Sequence, residues 1–321
     1  MPFLLDSVLR VSNKGRREPA GNIVPRADEK TPTRQNRPLA GIAVMLGGVF
    51  LGTCMDAALK FAIVRIPALE VAAFRGLTVL VLSVPLVIQA GGLAALRTGR
   101  PFGHAVRVGA ALTATVCFLE GLGRLPLATV IAIGLSSPLF MTAFSVPLLG
   151  ERVGAHRWAG VLVGFAGVLI VTRPGAAGIE PGMLFALGAA VFFALSMVVV
   201  RWLAPTETDI SMLFYVNVGT MLAGGAALPA LFVMPTPFEL AMIALGGFFI
   251  LASQMLTIRA FRLAPVGAVS PFYYTELIWG AALGWIFWGE QVEPHVWAGS
   301  LLIVGSGIYV AWRERRAKAA A

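Results

Sequence analysis

The sequence has few charged residues for its length. Asp, Glu, Lys and Arg make up 13% of its 321 residues, whereas hydrophobic residues make up 58%. Soluble domains contain about 25% charged residues, so this chain has too few polar side chains to cover a soluble protein of its size. Many of its apolar runs approach the ~20 residues that a helix needs to cross ~30 Å of hydrocarbon. The composition therefore indicates an integral membrane protein.

The sequence also lacks side chains that several classes of function require. The two cysteines, Cys54 and Cys117, lie inside apolar runs; they are too few for a disulfide framework and are interpreted as small buried hydrophobes. No Gly-rich phosphate loop and no paired carboxylates or histidine-based acid–base pair stand out, so the sequence favours neither an ATP-driven pump nor an enzyme. No metal site or cofactor is expected. The net charge of +9 comes from tails and short loops, so nucleic acid is not an expected partner.

Ten apolar spans follow one another from Leu39 onward. Their runs are continuous, whereas the strands of a membrane β-barrel alternate polar and apolar residues over ~10 positions, so the spans are predicted to be α-helices. Short segments rich in Gly, Pro and Arg join them. The predicted spans are about 39–60, 69–90, 105–122, 127–149, 157–173, 181–203, 210–232, 238–258, 265–288 and 295–312.

The basic residues indicate how the spans are oriented. With the N-terminus in the cytoplasm, only four of the 25 Lys and Arg residues lie on the outer side: Lys60, Arg65, Arg124 and Arg173. Because Lys and Arg collect in cytoplasmic loops, this orientation is favoured, and an even number of spans places both termini in the cytoplasm. Residues 1–37 are predicted to be a disordered cytoplasmic tail, with a wrongly assigned start codon as the alternative. Residues 313–321 are predicted to be a basic cytoplasmic tail.

An internal repeat relates the two halves of the chain. The segments Gly150–Gly160 and Gly289–Gly299 share seven of eleven residues at a constant offset of 139 positions. Among the identical residues are a Gly-Glu pair, a His and a Trp-Ala-Gly run. An offset of 141 positions places Lys60 on Arg201. The two halves are therefore predicted to have the same fold.

The number of spans in each copy determines their relative direction. Each copy contains five spans, an odd number, so the second copy must cross the membrane in the opposite direction, as in the inverted repeats of many transporters. The fold class predicted is an all-α integral membrane protein with ten transmembrane helices as two inverted five-helix repeats. The first repeat is assigned to residues 38–175 and the second to residues 176–312.

Several residues carry a resemblance to a known family. They are Met55-Asp56 in the first span, Phe74-Arg75 in the second, and the Gly-Glu pairs at 150–151 and 289–290. With these residues in two five-span repeats, the chain over about residues 39–312 resembles the drug/metabolite transporter (DMT) superfamily, specifically its ten-span EamA-type members. The resemblance implies a solute carrier of the cytoplasmic (inner) membrane that does not hydrolyse ATP and has a substrate cavity between its halves. Relatives by resemblance carry amino acids, nucleotide-like metabolites, vitamins or drugs.

Proline interrupts the fourth and ninth spans. Pro138 lies in the fourth and Pro271 in the ninth. Proline lacks a backbone donor and frees a carbonyl in the preceding turn, and interrupted spans at corresponding positions of two halves point to a substrate site. We expect kinks at both prolines and expect both spans to line the translocation path. Helices that are kinked but only pack are the alternative.

Glu276 is the most informative single residue. It lies about halfway along the ninth span, beside Tyr273, Tyr274 and Trp279, where inserting a carboxyl group is costly. We expect Glu276 to bind substrate or exchange protons, and we expect the three aromatic side chains and Ser137, its counterpart in the first repeat, to contact an organic solute. The alternative for Glu276 is a structural hydrogen bond to a neighbouring helix.

Three further charged residues lie in the first two spans. Asp56 and Lys60 are four residues apart, so they can pair on one helix face, which would lower the cost of burying them. Together with Glu276 they are candidates for ion coupling. Arg75, a further substrate-binding candidate, requires a carboxylate partner, for which Asp56 and Glu276 are available. The alternative for Lys60 is a side chain that extends to the membrane surface.

Together these features predict a secondary transporter that moves a small organic metabolite across the cytoplasmic membrane by alternating access, without a cofactor. An amino-acid-like, nucleotide-like or vitamin-like solute is the expected partner, besides the lipid bilayer. Coupling to protons stays open, as does a homodimer through the small-residue face of Gly160 and Gly164. The alternatives are a membrane-embedded enzyme and a receptor or scaffold that does not transport. The sequence indicates neither the substrate nor the direction of transport.

Overall fold

Long helices account for most of the chain. The computed structural model describes residues 38–151, 153–173, 180–264 and 269–319. The predicted tail at residues 1–37 and the predicted boundary between the repeats lie outside the described residues.

Ten helices of thirteen or more residues, and no strand, lie within this part of the chain. They are α1 (Pro38–Ile63), α2 (Ala68–Gln89), α3 (Pro101–Leu122), α4 (Leu127–Leu149), α5 (Ala155–Thr172), α6 (Pro181–Leu203), α7 (Asp209–Leu231), α8 (Pro237–Leu263), α9 (Glu276–Trp288) and α10 (Pro294–Ala319). Two 3-10 helices, Gly92–Leu96 and Ser270–Thr275, precede α3 and α9.

Eight of these helices, α1 to α8, are long and apolar enough to cross a membrane. Each has at least 18 residues, which corresponds to about 27 Å or more. In α10 the apolar part is the shorter stretch Pro294–Val310, and α9 adds 13 residues directly after its 3-10 helix. The chain is therefore a multi-pass, all-helical membrane protein.

Helices from the two halves of the chain pack in pairs. In this bundle α1 contacts α8, α2 contacts α7, α3 contacts α6, α4 contacts α9 and α5 contacts α10. The first seven residues of α4, Leu127 to Ile133, are all buried. Most of them belong to the largest apolar core, which also includes residues of α1, α2, α3, α5, α6, α8, α9 and α10. The start of α4 thus lies at the centre of the bundle.

The face formed by Gly160 and Gly164 packs against α10 within the same chain. A Cβ atom at Gly160 would lie 2.3 Å from Cγ2 of Val310, and one at Gly164 would lie 2.7 Å from Oγ of Ser306. Because only glycine permits this approach, the helices can pack closely. In this structure the face is thus used for helix packing within the chain, and the homodimer stays a prediction.

Both Gly-Glu pairs end a helix in the same way, as the repeat predicts. Gly150 has a φ of 67° and Gly289 a φ of 65°, in the left-handed region that favours glycine. At the first, Gly150 N–H donates to Val146 O (3.1 Å) and the next amide donates to Ser145 O (3.3 Å). At the second, Gly289 N–H donates to Trp285 O (2.9 Å) and Glu290 N–H donates to Gly284 O (3.1 Å). The first bond of each pair, from the left-handed glycine to the carbonyl four residues earlier, is the αL C-cap.

A buried carboxylate connects the start of α3 with the loop between α6 and α7. Glu207 accepts hydrogen bonds from Thr98 Oγ1 (2.9 Å) and Gly99 N–H (3.2 Å), and its second oxygen lies 3.1 Å from Nε2 of His104. Burial raises the pKa of Glu207, but the hydrogen bonds to His104, Thr98 and Gly99 together outweigh it, so the pKa lies below its ordinary value. The charged carboxylate therefore stabilises this end of the bundle.

Acid should weaken this connection. Because the pKa of Glu207 is lower in the folded protein than in the unfolded chain, its contribution to the free energy of unfolding is complete at neutral pH and is lost as the pH falls below the ordinary glutamate value of 4.5. We expect Glu207→Gln to lower the melting temperature in detergent at pH 7, and we expect this difference to shrink below about pH 4.5. Glu180→Gln, at an exposed glutamate, is the matched control. A difference that stays constant with pH would contradict this account.

Candidate functional site

The regular α-helix is interrupted at equivalent positions of the two halves, within α4 and directly before α9. In α4 the segments Leu127–Gly134 and Ser137–Leu149 are separated by two residues, and Pro138 follows directly as the second residue of the second segment. In the other half, the 3-10 helix that contains Pro271 changes into the α-helix at Glu276. Ser137 and Glu276, which are 139 positions apart, therefore begin equivalent helical segments.

Asp56 of α1 lies buried opposite this break. The residue is only 3% exposed, and within the described part of the chain its Oδ1 atom has no hydrogen-bond partner. The charge of Asp56 interacts with those of Glu276 and Arg75. A buried polar atom without a partner is costly, and this cost suggests that a ligand or a proton occupies the position during function.

Arg75 of α2 contributes the positive charge of the site. Its Nη2 donates a hydrogen bond to Thr115 Oγ1 on α3 (3.2 Å), while its Nε is buried without a partner among the described residues. Of the two carboxylates predicted as partners of Arg75, Asp56 and Glu276, Asp56 is close enough for its charge to interact with that of Arg75. Among the described side chains, no contact within 4.0 Å joins the two as an ion pair, so part of the guanidinium is free to bind a solute.

Tyr273 completes a polar cluster that we define as Asp56, Arg75, Tyr273 and Glu276. The Tyr273 hydroxyl group interacts with the charges of Glu276 and Asp56, so this side chain faces the cluster although it is 47% exposed. Tyr273 is thus the most exposed member of the cluster, whereas Asp56 is buried and Glu276 is half-buried.

An aromatic pair lies beside the polar cluster. Trp279, one turn after Glu276 on α9, packs edge-to-face against Phe50 of α1 with their ring centroids 5.1 Å apart. The indole Nε1 is buried and has no partner in the described part of the chain. Phe50 is 37% exposed. The pair thus offers a ring surface and one hydrogen-bond donor next to the acids.

Two predicted site residues do not join the polar cluster. A Cβ atom at Gly307 of α10 would lie 1.9 Å from the hydroxyl oxygen of Tyr274, so Tyr274 packs against α10, whereas its neighbour Tyr273 faces the acids. Ser137 is buried, with 8% of its surface exposed, and no hydrogen bond to the cluster is found among the described residues. Adjacent residues of a helical segment point in different directions, and the sequence gives no information on which of the two tyrosines faces inward.

Lys60 does not pair with Asp56, and this prediction was wrong. Its Nζ forms an ion pair with Glu290, in the loop between α9 and α10, and donates a hydrogen bond to Leu125 O (2.8 Å). Nζ also lies 5.3 Å from the centroid of the Trp288 ring. The long side chain of Lys60 reaches Glu290 in the other half of the chain. Asp56, four residues before Lys60, therefore does not have Lys60 as its partner. Glu290 was missed as a functional candidate, although its place in the repeated Gly-Glu pair was a signal.

A cavity lies at the end of the bundle, away from the polar cluster. It has a volume of about 340 Å³ and is lined by residues around the α1–α2 connection and the end of α3, among them Arg65, Glu120 and Arg124. These charges already have partners, because Arg124 pairs with Glu120 and Arg65 pairs with Glu239. The polar cluster holds polar atoms without partners and is the stronger candidate for the functional site.

Comparison with known proteins identifies similar chains. A model of the EamA-like transporter family matches residues 39–173 and 180–312. An S-adenosylmethionine uptake transporter of Rickettsia bellii is 29% identical over 282 residues, which cover 86% of this chain and 95% of the relative. A riboflavin transporter of Rhizobium johnstonii is 31% identical over 226 residues, covering 70% of this chain and 75% of the relative. A pseudopaline exporter of Pseudomonas aeruginosa is 28% identical over 267 residues, covering 83% and 93%.

A solved crystal structure of a protein has a similar fold. It superposes with a TM-score of 0.59 and covers 87% of this chain and 98% of its own, at 20% sequence identity. At this identity the likeness supports the arrangement of the helices and gives no information on the substrate.

Proposed function

Because the chain belongs to the EamA-like transporter family, we propose that it is a secondary transporter that moves a small organic metabolite across the cytoplasmic membrane by alternating access. The observation that carries the proposal is the buried Asp56 carboxylate, which has an unpartnered oxygen beside the charges of Glu276 and Arg75. Ionisable residues inside a membrane bundle commonly mark a substrate or ion pathway. Membrane-embedded catalysis and a receptor or scaffold role have no such support.

Three observations support two inverted five-helix halves, residues 38–175 and 176–312. The family model matches the chain twice. Helical segments begin at Ser137 and Glu276 and end at equivalent left-handed glycines. The helix pairs are also consistent with a twofold relation between the halves. In such a relation α1 corresponds to α6 and α8 corresponds to α3, so contact between α1 and α8 requires contact between α6 and α3. Both contacts are observed. Because each half has an odd number of helices, the second half runs in the opposite direction.

Orientation follows from the basic residues. Lys and Arg collect in cytoplasmic segments, so we assign the ends of α1 and α3 to the outer side and the end of α6 to the cytoplasmic side. Both termini of the chain then lie in the cytoplasm. This assignment places the Gly-Glu pair at 150–151 on the cytoplasmic side and the pair at 289–290 on the outer side.

The chemistry of the polar cluster indicates a class of solute. Two carboxylates favour a solute with a cationic or hydrogen-bond-donating nitrogen, the unpartnered Arg75 Nε favours an acceptor group, and the Phe50–Trp279 pair favours a flat ring. S-adenosylmethionine and riboflavin, named for two relatives, both carry a planar ring system. One relative is named for uptake and another for export, so the direction of transport is left open in this proposal.

Uptake into proteoliposomes tests the proposal. The full chain would be reconstituted and supplied with a labelled panel of S-adenosylmethionine, riboflavin and several amino acids, at two pH values. We expect saturable uptake of at least one ring-bearing solute. Saturable binding to the purified protein without uptake would contradict transport and would support a receptor.

Replacing Glu276 with Gln should change the response of uptake to pH. Glutamine keeps the size and most hydrogen bonds of the side chain but cannot exchange a proton, and two neighbouring carboxylates repel each other unless one is protonated or a cation lies between them. We expect Glu276→Gln to lower the uptake rate by roughly 10- to 100-fold, the effect of losing a hydrogen bond to a charged group. We also expect the remaining uptake to be less dependent on pH between pH 6 and 8.

Ser137→Ala is the matched control for Glu276→Gln. Ser137 begins the equivalent helical segment in the other half but does not join the polar cluster, so uptake by this variant should stay near the native rate. A Glu276→Gln protein with native rates at both pH values would reject Glu276 as a substrate or proton site.

A further inference from the structure

Two ion pairs between the halves of the chain are related by the internal repeat. Lys60, near the end of α1, pairs with Glu290, and Arg201, near the end of α6, pairs with Glu151. The two glutamates are 139 positions apart and each follows a left-handed glycine. The two basic residues are 141 positions apart and lie at equivalent places in the first helix of each half. Each pair therefore joins the first helix of one half to the Gly-Glu pair of the other.

The two ion pairs lie at opposite ends of the bundle. Lys60 donates to the carbonyl of Leu125, just beyond the end of α3. At the start of α3, a Cβ atom on Gly103 would contact Trp202 and Leu203, the residues that directly follow Arg201. Because α3 has 22 residues, its two ends are about 33 Å apart. One ion pair therefore lies near each surface of the membrane.

The Lys60–Glu290 pair is buried and has several further contacts. The side chains of Lys60 and Glu290 are 9% and 17% exposed. Glu290 also accepts a hydrogen bond from Leu127 N–H (2.7 Å), the first amide of α4. This single pair thus connects α1, the start of α4 and the loop between α9 and α10, and the neighbouring residues of α4, Leu127 to Ile133, are all buried.

The Arg201–Glu151 pair lies in a more open part of the structure. Its side chains are 60% and 29% exposed. Of the adjacent segment of α4, Ser137–Leu149, only three residues are buried. An ion pair this exposed contributes little to stability, whereas removing one partner of a buried pair is strongly destabilising. In this conformation the bundle is therefore held closed at the Lys60 end.

We propose that the two ion pairs are alternating locks: the Lys60–Glu290 pair closes one entrance to the polar cluster in this conformation, and the Arg201–Glu151 pair closes the other entrance when the bundle opens at the Lys60 end. The proposal rests on the transport function proposed above. Since the halves are related by the repeat, the opposite conformation places Arg201 and Glu151 in the environment that Lys60 and Glu290 now have. Both pairs are formed in this conformation, but the exposed Arg201–Glu151 pair is the weaker constraint. Each lock crosses from one half to the other, so opening at an end requires the pair at that end to separate, and the Lys60–Glu290 pair resists this more strongly.

Thiol labelling measures which entrance is open. In the full chain, with Cys54 and Cys117 replaced by Ala, Ala62→Cys places one thiol two residues after Lys60 in α1, at a position that is 0% exposed. We expect Glu290→Gln to raise the rate at which a membrane-impermeant maleimide labels this thiol by at least about fivefold, the lower end of typical coupling between two states. We expect Glu151→Gln, which weakens the opposite lock, to lower the labelling rate. Alternating locks thus predict that the two substitutions change the labelling rate in opposite directions.

Matched variants separate this role from a structural one. Glu120→Gln removes an ion pair at the same end but within one half of the chain, Arg124–Glu120, and should leave labelling unchanged. If Glu290→Gln does not fold, Lys60→Met removes the same pair from the other side and should raise labelling equally, while Lys60→Arg keeps the pair and the native rate. Equal or parallel shifts for Glu290→Gln and Glu151→Gln would overturn the proposal. Labelling needs no solute, so a protein that shows opposite shifts but no uptake would contradict the transport function and not the locks.

Discussion

Uptake should fall at least about 100-fold when Asp56 is replaced with Asn. Asp56 is 3% exposed and its Oδ1 atom has no partner among the described residues, so the substitution keeps the shape of the side chain and removes only its charge. The positive charge of Arg75 then loses its nearest compensating acid. Removing one partner of buried charges costs about 3–5 kcal/mol, which corresponds to a loss of roughly 100-fold or more. The measurement is the initial rate of uptake by proteoliposomes containing equal amounts of protein.

Glu70→Gln is the control for Asp56→Asn. Glu70 is a glutamate on α2 that is only 1% exposed. Its Oε2 atom accepts a hydrogen bond from Val233 N–H (2.9 Å), and its Oε1 atom, like Oδ1 of Asp56, has no partner among the described residues, but it is not part of the polar cluster. We expect this variant to be less stable but to keep a near-native uptake rate per folded molecule. Native uptake by Asp56→Asn, or an equal loss in both variants, would show that Asp56 has no special role.

Gly299→Ala should strongly reduce the amount of folded protein. A Cβ atom at this position on α10 would lie 2.5 Å from the carbonyl oxygen of Gly167 and 2.5 Å from Cγ2 of Val171, both on α5. A backbone oxygen cannot move aside as a flexible side chain can, so the two helices must separate. Overpacking of this kind costs about 1–3 kcal/mol or more. Thermal unfolding in detergent, followed by the loss of monodisperse protein, measures the effect.

Gly305→Ala tests whether the effect of Gly299→Ala comes from the helix contact. Gly305 lies in the same helix, but a Cβ atom there would have no neighbour within 4 Å. Since alanine favours a helix over glycine by about 1 kcal/mol, this substitution should be neutral or slightly stabilising. Similar destabilisation by both variants would mean that the close contact between α5 and α10 is not important.

The sequence predicts the all-helical fold and the eight helices long enough to cross a membrane, because each is marked by an apolar run. It predicts their ends less well, since a helix continues beyond the part that lies in hydrocarbon. The third span was predicted to begin near residue 105, but α3 begins at Pro101 and includes the buried His104. The last span was predicted to end near residue 312, but α10 continues to Ala319.

The candidate site could be predicted only in part. Residue types identified Asp56, Arg75, Tyr273 and Glu276, because charges and hydroxyl groups are rare in apolar spans. Contacts between distant helices were beyond the reach of spacing rules, which compare only residues within one helix. The pairing of Lys60 with Glu290 instead of Asp56 is such a contact. The repeat did contain a clue, because it matches Lys60 to Arg201 and each of these residues pairs with a glutamate of the other half.

Counterflow tests the central claim most directly. Proteoliposomes containing the full chain would be loaded with an unlabelled solute that the uptake panel has identified, and entry of the labelled solute would be followed. A carrier whose binding site faces one side at a time exchanges solute across the membrane, so preloading should accelerate entry of the label above the rate in empty proteoliposomes. The contradicting result has two parts. The solute binds to the purified protein, but the label enters preloaded proteoliposomes no faster than it enters protein-free liposomes. This result would contradict an alternating-access transporter.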